Sequence, residues 1–323
     1  WNPGGELNIT AKGDFHSAVF LSEYLAETDS IIGEINMILD IKGPPEKLVR
    51  NGAITIENGS IYTILMDEPV RRISTHGRLV DNQLSIQSFT GALFDTQTKI
   101  DSTHNLTITG EMDFTKFFEP RYNLHAEGDD IFFRSLNGDI EGYGDLDVTV
   151  IGKDTLEING TVAAKNGAIY IEFTGDEPVE FAEAKGRITT NYNIRFPIED
   201  TFSIRNSQID AKISGEIAMS KQFDGEWNYS GEIEFIEGEI YYYVGDVFEN
   251  LTGVMTLDGQ GFNPFLELTA STKIGDAEIM LGVFGPFDNP EWRFDSNKGY
   301  TESDILQLLT FNTRVAEEGF TSE

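Results

Sequence analysis

Alternation of apolar and polar residues is the feature that most constrains how this chain can fold. Period-two alternation places every second side chain on the same face of a β-strand. Such runs recur along most of the sequence, at 35–41, 146–150, 209–213, 233–235 and 266–268. One face of each run is mainly apolar and the other polar, which is typical of antiparallel sheets that expose one side to water.

Dipeptides that favour tight turns occur close to these runs. Asn-Gly and Asp-Gly favour two-residue hairpins because both residues tolerate positive φ. We therefore expect a meander of many short strands with hairpin turns at these dipeptides: Asn51-Gly52, Asn58-Gly59, Asn137-Gly138, Asn159-Gly160, Asn166-Gly167 and Asp258-Gly259.

A sequence motif is repeated three times. The copies begin at Gly52, Gly160 and Gly231, and each has a second glycine seven residues later followed by X-Ile-Tyr. Their unequal intervals do not fit the regular rung of a β-helix. We predict one continuous domain over residues 1–299, a long curled antiparallel sheet of hairpins with repeats near 33–95, 144–200 and 207–260. The apolar face must be hidden in a sandwich, a barrel or a trough, and alternation alone leaves a packed core and an open trough both possible.

Helical periodicity is clearest at the C-terminus, where we predict a helix and tail over 300–323. Thr301 and Asp304 form a capping-box-like start. Ile305, Leu308 and Leu309 follow as one apolar stripe. A weaker helical pattern lies at 19–25.

Composition excludes several classes of function. Lys and Arg number 23 against 55 Asp and Glu, so the net charge is -32, which disfavours nucleic acid as a partner. There is no cysteine and only four histidines, which leaves little material for thiolate or histidine metal sites. Carboxylate pairs such as Asp129-Asp130 are expected by chance at this acidity. We predict no enzyme activity, no catalytic residue, no metal and no cofactor.

Several segments resemble the C-terminal domain of the TamB family. The most specific are Gly285-Pro-Phe-Asp-Asn-Pro290-Glu-Trp-Arg-Phe-Asp-Ser296 and the following Tyr300-Thr-Glu-Ser-Asp-Ile-Leu-Gln-Leu-Leu309; Pro120-Arg-Tyr-Asn-Leu124 and the segment 142–152 add to it. TamB is the large subunit of the translocation and assembly module, within the AsmA-like superfamily.

The resemblance implies a β-sheet bent into a U-shaped, taco-like groove with an apolar lining. It further implies a periplasmic protein of diderm bacteria, anchored in the inner membrane by a segment absent from this chain. Such a protein would bridge the inner and outer membranes and carry phospholipid, assist assembly of unfolded outer-membrane proteins such as autotransporters, or do both. Its expected partner is an outer-membrane barrel of the TamA or BamA type.

Alternation and the resemblance together give candidate site residues. The terminal helix is the candidate partner-docking element, through Ile305, Leu308 and Leu309. The alternative is a filled-core structural β-protein, such as an adhesin or an autotransporter passenger. The predicted lining of the lipid groove is Ile35, Met37, Leu39, Ile54, Ile56, Leu146, Val148, Val150, Ile169, Ile171, Ile209, Ile213, Ile233, Phe235, Ile240, Leu266 and Leu268.

Overall fold

A computed structural model describes residues 5–18, 28–64, 66–95, 104–117, 119–136, 138–172, 189–242, 246–259 and 261–318. These residues form sixteen strands and one helix. The weaker helical pattern at 19–25 lies outside the described residues. The elements are β1 Leu7–Ser17, β2 Thr28–Gly43, β3 Val49–Thr63, β4 Val70–Val80, β5 Gln83–Ala92, β6 Leu106–Asp113, β7 Arg121–Arg134, β8 Ile140–Gly152, β9 Thr155–Ile169, β10 Thr189–Arg205, β11 Ile209–Lys221, β12 Asn228–Tyr242, β13 Asp246–Asp258, β14 Phe265–Ile274, β15 Ala277–Pro286, β16 Glu291–Ser296 and α1 Glu302–Glu318.

The strands follow one another in a single sheet in the order of the sequence, from β1 to β16. Within the described residues the order begins at β1 and ends at β16, so the sheet is open and is not a closed barrel. The predicted all-β class, the long antiparallel sheet and the short C-terminal helix are confirmed. Each strand is bonded to the strands before and after it in the chain, as in a meander.

The chain divides into two compact units. Unit 1 comprises Trp1–Ala163, Glu180–Arg195 and Ser220–Glu226, and unit 2 comprises Ala164–Val179, Phe196–Met219 and Trp227–Glu323. Strands β9, β10 and β11 each contribute residues to both units. The helix α1 belongs to unit 2.

Each copy of the repeated motif occupies one long strand and not a hairpin. The three strands are β3, β9 and β12, and each has 15 residues. The Asn-Gly prediction is therefore wrong in β3 and β9, where four of the six dipeptides lie inside strands. Asp258 ends β13, but β14 begins only at Phe265, so the predicted tight turn is wrong there as well; Asn137 lies outside the described residues.

The close approach of β2 and β3 explains why a glycine is needed at position 52. Gly52 in β3 faces Leu39 of β2, and a Cβ built at Gly52 would overlap the carbonyl oxygen of Ile38. Glycine is needed there for space against backbone, because only a residue without a Cβ can approach so closely.

Asn58 in the second dipeptide of β3 serves a different purpose. It has φ of 51°, and the pairing of β3 with β4 shifts between Ile56 and Gly59. The inward face accordingly changes from Ile54 and Ile56 to Gly59 and Ile61. Asparagine tolerates the left-handed region, so the same chemistry that suits a turn here supports a β-bulge.

A two-residue turn occurs where the sequence analysis did not place one. Asp81 and Asn82 connect β4 to β5 with φ of 49° and 72°. Two consecutive left-handed residues define a type I′ hairpin, whose twist matches that of the strands. Asn82 is also buried and accepts hydrogen bonds from Arg50.

We expect Gly52→Ala to lower the free energy of unfolding by about 1–3 kcal/mol, because the new methyl group forces β2 and β3 apart. Gly225→Ala is the matched control, since its Cβ would meet Gln222 at ordinary van der Waals distance. The control should change the free energy by less than about 0.5 kcal/mol. Urea unfolding followed by circular dichroism measures both, and equal effects would contradict the close-approach argument.

Candidate functional site

Two rows of inward-facing residues cross the first eight strands of unit 1. In each row, directly opposed residues follow one another from β1 to β8 without a break in register. Neither row contains a charged side chain. The first row is Gly13, Met37, Ile54, Gly77, Ile86, Gly110, Leu124 and Val150, and the second is Ala11, Leu39, Gly52, Leu79, Leu84, Met112, Tyr122 and Gly152.

Glycines separate bulky side chains in the first row. A Cβ at Gly77 would lie 2.9 Å from a methyl group of Ile54 and 3.1 Å from one of Leu84. The neighbouring side chains therefore lean over the glycine and cover it. The apolar surface is therefore continuous even where a strand contributes a glycine and no side chain.

Most bulky residues of the two rows are only half-buried. We define the apolar strip as the eight bulky, half-buried members of these rows. Side chains that pack against others on every side would be more deeply buried, so this part of the face remains open to solvent. The apolar strip consists of Met37, Ile54, Ile86, Leu124 and Val150 from the first row and Leu39, Leu79 and Leu84 from the second.

Dense packing flanks the apolar strip. On one side, Ile31, Ile35, Ile56, Ile73 and Phe89 belong to a buried core cluster. On the other, Met112, Tyr122 and Leu156 form a smaller one. These clusters supply the hydrophobic stabilisation that holds unit 1 together, at about 25 cal/mol per Å² of apolar surface buried.

The predicted lining residues of unit 1 divide between these environments. Ile35 and Ile56 are opposed across β2 and β3 and are buried in the larger cluster, while Ile54 and Leu146 pack against it. Val148 is buried as well. Met37, Leu39, Ile54 and Val150 are members of the apolar strip, and Leu146 is half-buried outside it.

The predicted lining residues of unit 2 are packed more tightly. Opposed residues again form rows, such as Phe235, Gly253, Leu268, Val283 and Trp292. Ile169, Ile171 and Ile209 are half-buried. The remaining predicted positions of this unit are buried: Ile213, Ile233, Phe235, Ile240, Leu266 and Leu268.

Alternation missed several core residues because of the bulges. In β13, Asn250 has φ of 57° and the pairing with β14 shifts between Glu249 and Thr252. Phe248 and Leu251 are both fully buried although they differ in parity. A strict period of two cannot assign both to one face, since a bulge reverses the alternation.

Aromatic rings gather on the same face of unit 2 near its edge strand. Tyr242 lies 5.4 Å from Phe294 and 5.7 Å from Trp292, measured between ring centroids. Tyr241, the preceding residue, is exposed. Of the two adjacent tyrosines, Tyr242 therefore faces inward and Tyr241 faces outward.

The terminal helix buries part of its apolar stripe within the chain. Ile305 and Leu309 are 0% and 2% exposed, Leu308 is half-buried, and Leu306 is exposed. The helix contacts β16 and β14. Ile305 and Leu309 are therefore packing residues of unit 2, and a docking partner could reach only the other side of α1.

A capping box fixes the start of α1, as the sequence analysis expected. Thr301 Oγ1 donates a hydrogen bond of 2.6 Å to Asp304 Oδ2, and Asp304 N donates one of 3.3 Å to Thr301 Oγ1. The bonds from Thr301 lower the pKa of the Asp304 carboxyl. The charged form of Asp304 thus stabilises the helix start.

Charged groups at one rim of unit 1 are tightly paired. Arg134 Nε donates a 2.9 Å hydrogen bond to Glu141, and the Arg134 guanidinium lies 3.7 Å from Asp95 and 3.9 Å from Glu68. The bond to Glu141 raises the pKa of Arg134.

No group of three or more acidic or histidine side chains among the described residues is arranged to hold a metal ion.

Comparison with known protein families decides the relationship of the chain. The model of the TamB C-terminal domain matches residues 95–322, more than two thirds of the sequence. The chain belongs to the TamB family. TamB proteins are envelope transport and assembly proteins, not enzymes, and they work in general with TamA-type partners. The family is periplasmic and associated with the cell envelope.

The family match and the apolar rows have different limits in this TamB chain. The match begins at Asp95, so β6 to β16 and α1 lie within it and β1 to β5 precede it. Both rows nevertheless run from β1 to β8 across that limit.

No curated protein matches the chain. No helix in the described part of the chain is long and apolar enough to cross a membrane.

We expect Leu309→Ala to destabilise the packing of α1 by about 2–5 kcal/mol, because it leaves a cavity in a buried site. Leu306→Ala is the matched control, with the same change at an exposed position of the same helix. It should cost less than about 0.5 kcal/mol. Amide hydrogen exchange in α1 reports both, and equal protection in the two variants would show that Leu309 does not anchor the helix.

Asp304→Asn should lower the stability of α1 most at neutral pH. Because the pKa of Asp304 is lowered in the folded chain, its stabilising effect is full above the unfolded pKa and is lost as pH falls through the folded value. The difference in α1 exchange protection between parent and variant should therefore shrink as pH falls below the ordinary pKa of an aspartate carboxyl, about 3.9. Thr301→Ala removes the other half of the box and should weaken α1 at every pH. A difference that grows on acidification would contradict the capping role.

Proposed function

We propose that this TamB chain carries phospholipid between the inner and outer membranes, with the acyl chains lying on the apolar strip. The observation that supports the proposal is the pair of uninterrupted, charge-free rows, in which eight of the ten bulky members stay half-buried. A surface of this kind would be costly to leave in water, and a hydrocarbon ligand removes that cost. In our proposal the sheet bends into a U-shaped groove around the acyl chains.

Dimensions favour an acyl chain as the occupant of the apolar strip. Neighbouring strands lie about 4.8 Å apart, so a row across eight strands extends roughly 34 Å along the sheet. This is close to the roughly 30 Å thickness of the hydrocarbon core of a bilayer. Each buried methylene contributes about 0.8 kcal/mol, so several methylenes are enough to hold a lipid.

The proposal places the strip within a longer envelope protein. We propose that the protein is anchored in the inner membrane of a diderm bacterium. Its outer end would meet a barrel of the TamA or BamA type, with the exposed side of α1 around Leu306 as one contact. Through that barrel it would also assist assembly of outer-membrane proteins and autotransporters.

The filled-core alternative has its best support in unit 2. Six of the nine predicted lining residues there are buried, so the inward face of that unit has little room for a ligand. We therefore assign lipid binding to unit 1 and a mainly structural role to the packed face of unit 2. A filled core throughout the chain would leave lipid without any binding surface.

Met37→Glu tests the assignment, and Ile38→Glu is its matched control. The two residues are adjacent in β2, with Met37 in the apolar strip and Ile38 exposed on the opposite face. A carboxylate in the strip must lose hydration when acyl chains cover it, so Met37→Glu should weaken phospholipid binding at least tenfold, about 1.4 kcal/mol. Ile38→Glu should bind within about twofold of the parent chain.

Binding of a fluorescent phosphatidylethanolamine to the purified chain measures the effect, and native mass spectrometry counts the lipids bound. Urea unfolding midpoints of both variants check that the sheet is intact. Undiminished binding by Met37→Glu would overturn the assignment of the strip. Absence of lipid binding by the parent chain would favour the filled-core alternative.

A further inference from the structure

Arg50 is a charged residue on the apolar side of the sheet. In β3 it precedes Gly52 and Ile54 at the same parity, so it lies on the inward face one position beyond the second row. Its side chain is shielded, and the residue is 9% exposed. An inward arginine is unexpected next to a surface otherwise free of charge.

Neutral groups hold the Arg50 side chain in place. Its Nη1 donates hydrogen bonds to Asn82 Oδ1 at 3.1 Å and to the carbonyl oxygens of Phe114 at 3.1 Å and Thr115 at 3.5 Å. The guanidinium carbon lies 5.4 Å from the centroid of the Phe117 ring. These contacts orient the guanidinium but leave its charge uncompensated.

No carboxylate among the residues that the structure describes forms an ion pair with Arg50. Arg134, at the opposite ends of the strands, is surrounded by Glu141, Asp95, Glu68 and Asp67, all within 4.0 Å. The lack of a carboxylate beside Arg50 is notable, because acidic residues outnumber basic ones in this chain by more than two to one. A shielded arginine is always charged, and a buried charge is stable only with a partner.

The unused donors of Arg50 point to the chemistry of that partner. Nε and Nη2 have no acceptor within the described part of the chain, and neither is sealed from solvent. These two nitrogens form one edge of the guanidinium and donate in parallel. Two oxygens of a phosphate group match this geometry, which is why arginine binds phosphate with two hydrogen bonds.

The nearby loop does not supply the missing anion. Asp113 accepts hydrogen bonds from Thr115 N at 2.8 Å and from Thr115 Oγ1 at 2.6 Å, which lower its pKa and fix the loop that carries Phe114 and Thr115. Glu119 is engaged by Lys116 and Lys153, at 3.3 and 2.8 Å. The acidic side chains of this loop are therefore already bound to other groups.

We propose that Nε and Nη2 of Arg50 bind the phosphate of a phospholipid headgroup whose acyl chains lie on the apolar strip. The inference rests on the proposed function, and it adds a headgroup site at the end of the strip. It makes the chain selective for lipids that carry a phosphate. The headgroup neutralises Arg50, and the rows hold the hydrocarbon.

Arg50→Gln is the principal test, with Lys116→Gln, in the loop next to Arg50, as the control for loss of a nearby cation. The assay compares phosphatidylethanolamine with a diacylglycerol that has the same acyl chains but no phosphate. Arg50→Gln should weaken phosphatidylethanolamine binding about tenfold and leave diacylglycerol binding unchanged, because only the phosphate contacts are lost. Lys116→Gln should bind both lipids as the parent chain does.

Arg50→Lys keeps the proposal testable if Arg50→Gln fails to fold. Lysine retains the charge but lacks the two parallel donors, so phosphatidylethanolamine binding should weaken at least threefold without loss at diacylglycerol. Urea unfolding midpoints identify which variants are folded. Equal losses for both lipids, or no loss in a folded variant, would show that Arg50 only braces the loop.

Three further outcomes are distinct. If the parent chain binds neither lipid, the proposed function itself fails. If it binds both lipids equally, the strip holds acyl chains and the headgroup site is overturned. Saturable binding of inorganic phosphate at millimolar concentration, lost in Arg50→Gln and unaffected by lipid, would assign the site to a free ion and overturn its assignment to a lipid.

Discussion

Register between neighbouring strands is the constraint on which the rest of this structure depends. A slip of one residue at any pairing would turn the inward side chains of that strand outward. The two rows of unit 1 cross seven pairings, and each pairing keeps Met37, Ile54 and their successors opposite an apolar residue or a glycine. Bulges at Asn58, Arg72 and Asp130 change the parity locally outside the rows, and a further shift between His76 and Gly77 borders the first row without interrupting it.

The two units use the same inward face in different ways. In unit 2 Ile233 and Phe235 are buried, and the helix α1 buries Ile305 and Leu309 as well. In unit 1 buried clusters flank the apolar strip, which itself keeps part of its surface accessible. Stability and ligand binding make opposite demands on apolar surface, and the chain meets them with different residues.

Alternation was enough to predict the sheet and the direction of most side chains, because a strand has only two faces. All seventeen lining residues predicted with its help are buried or half-buried in the structure. Alternation failed where the backbone departs from regular strand geometry. Asn51-Gly52 resembles a hairpin turn in sequence, yet the structure uses Gly52 for close approach of β2 and β3. One dipeptide can serve a turn, a bulge or a close contact, and only the register distinguishes them.

Arg50 could not have been found by the same reasoning, since alternation treats a charged residue as outward-facing or as the end of a strand. Its inward position depends on Asn82 and on the carbonyl oxygens of Phe114 and Thr115, which are distant in sequence.

Sequential strand order also bears on how the chain acquires its structure. Every strand bonds to the strands that precede and follow it, so the hairpins of the sheet require little loop closure and can form as soon as both strands are available. Folding can then advance from one end of the chain to the other as the polypeptide emerges from a translocation channel. A partly emerged chain already carries a native edge, onto which each new strand pairs in turn.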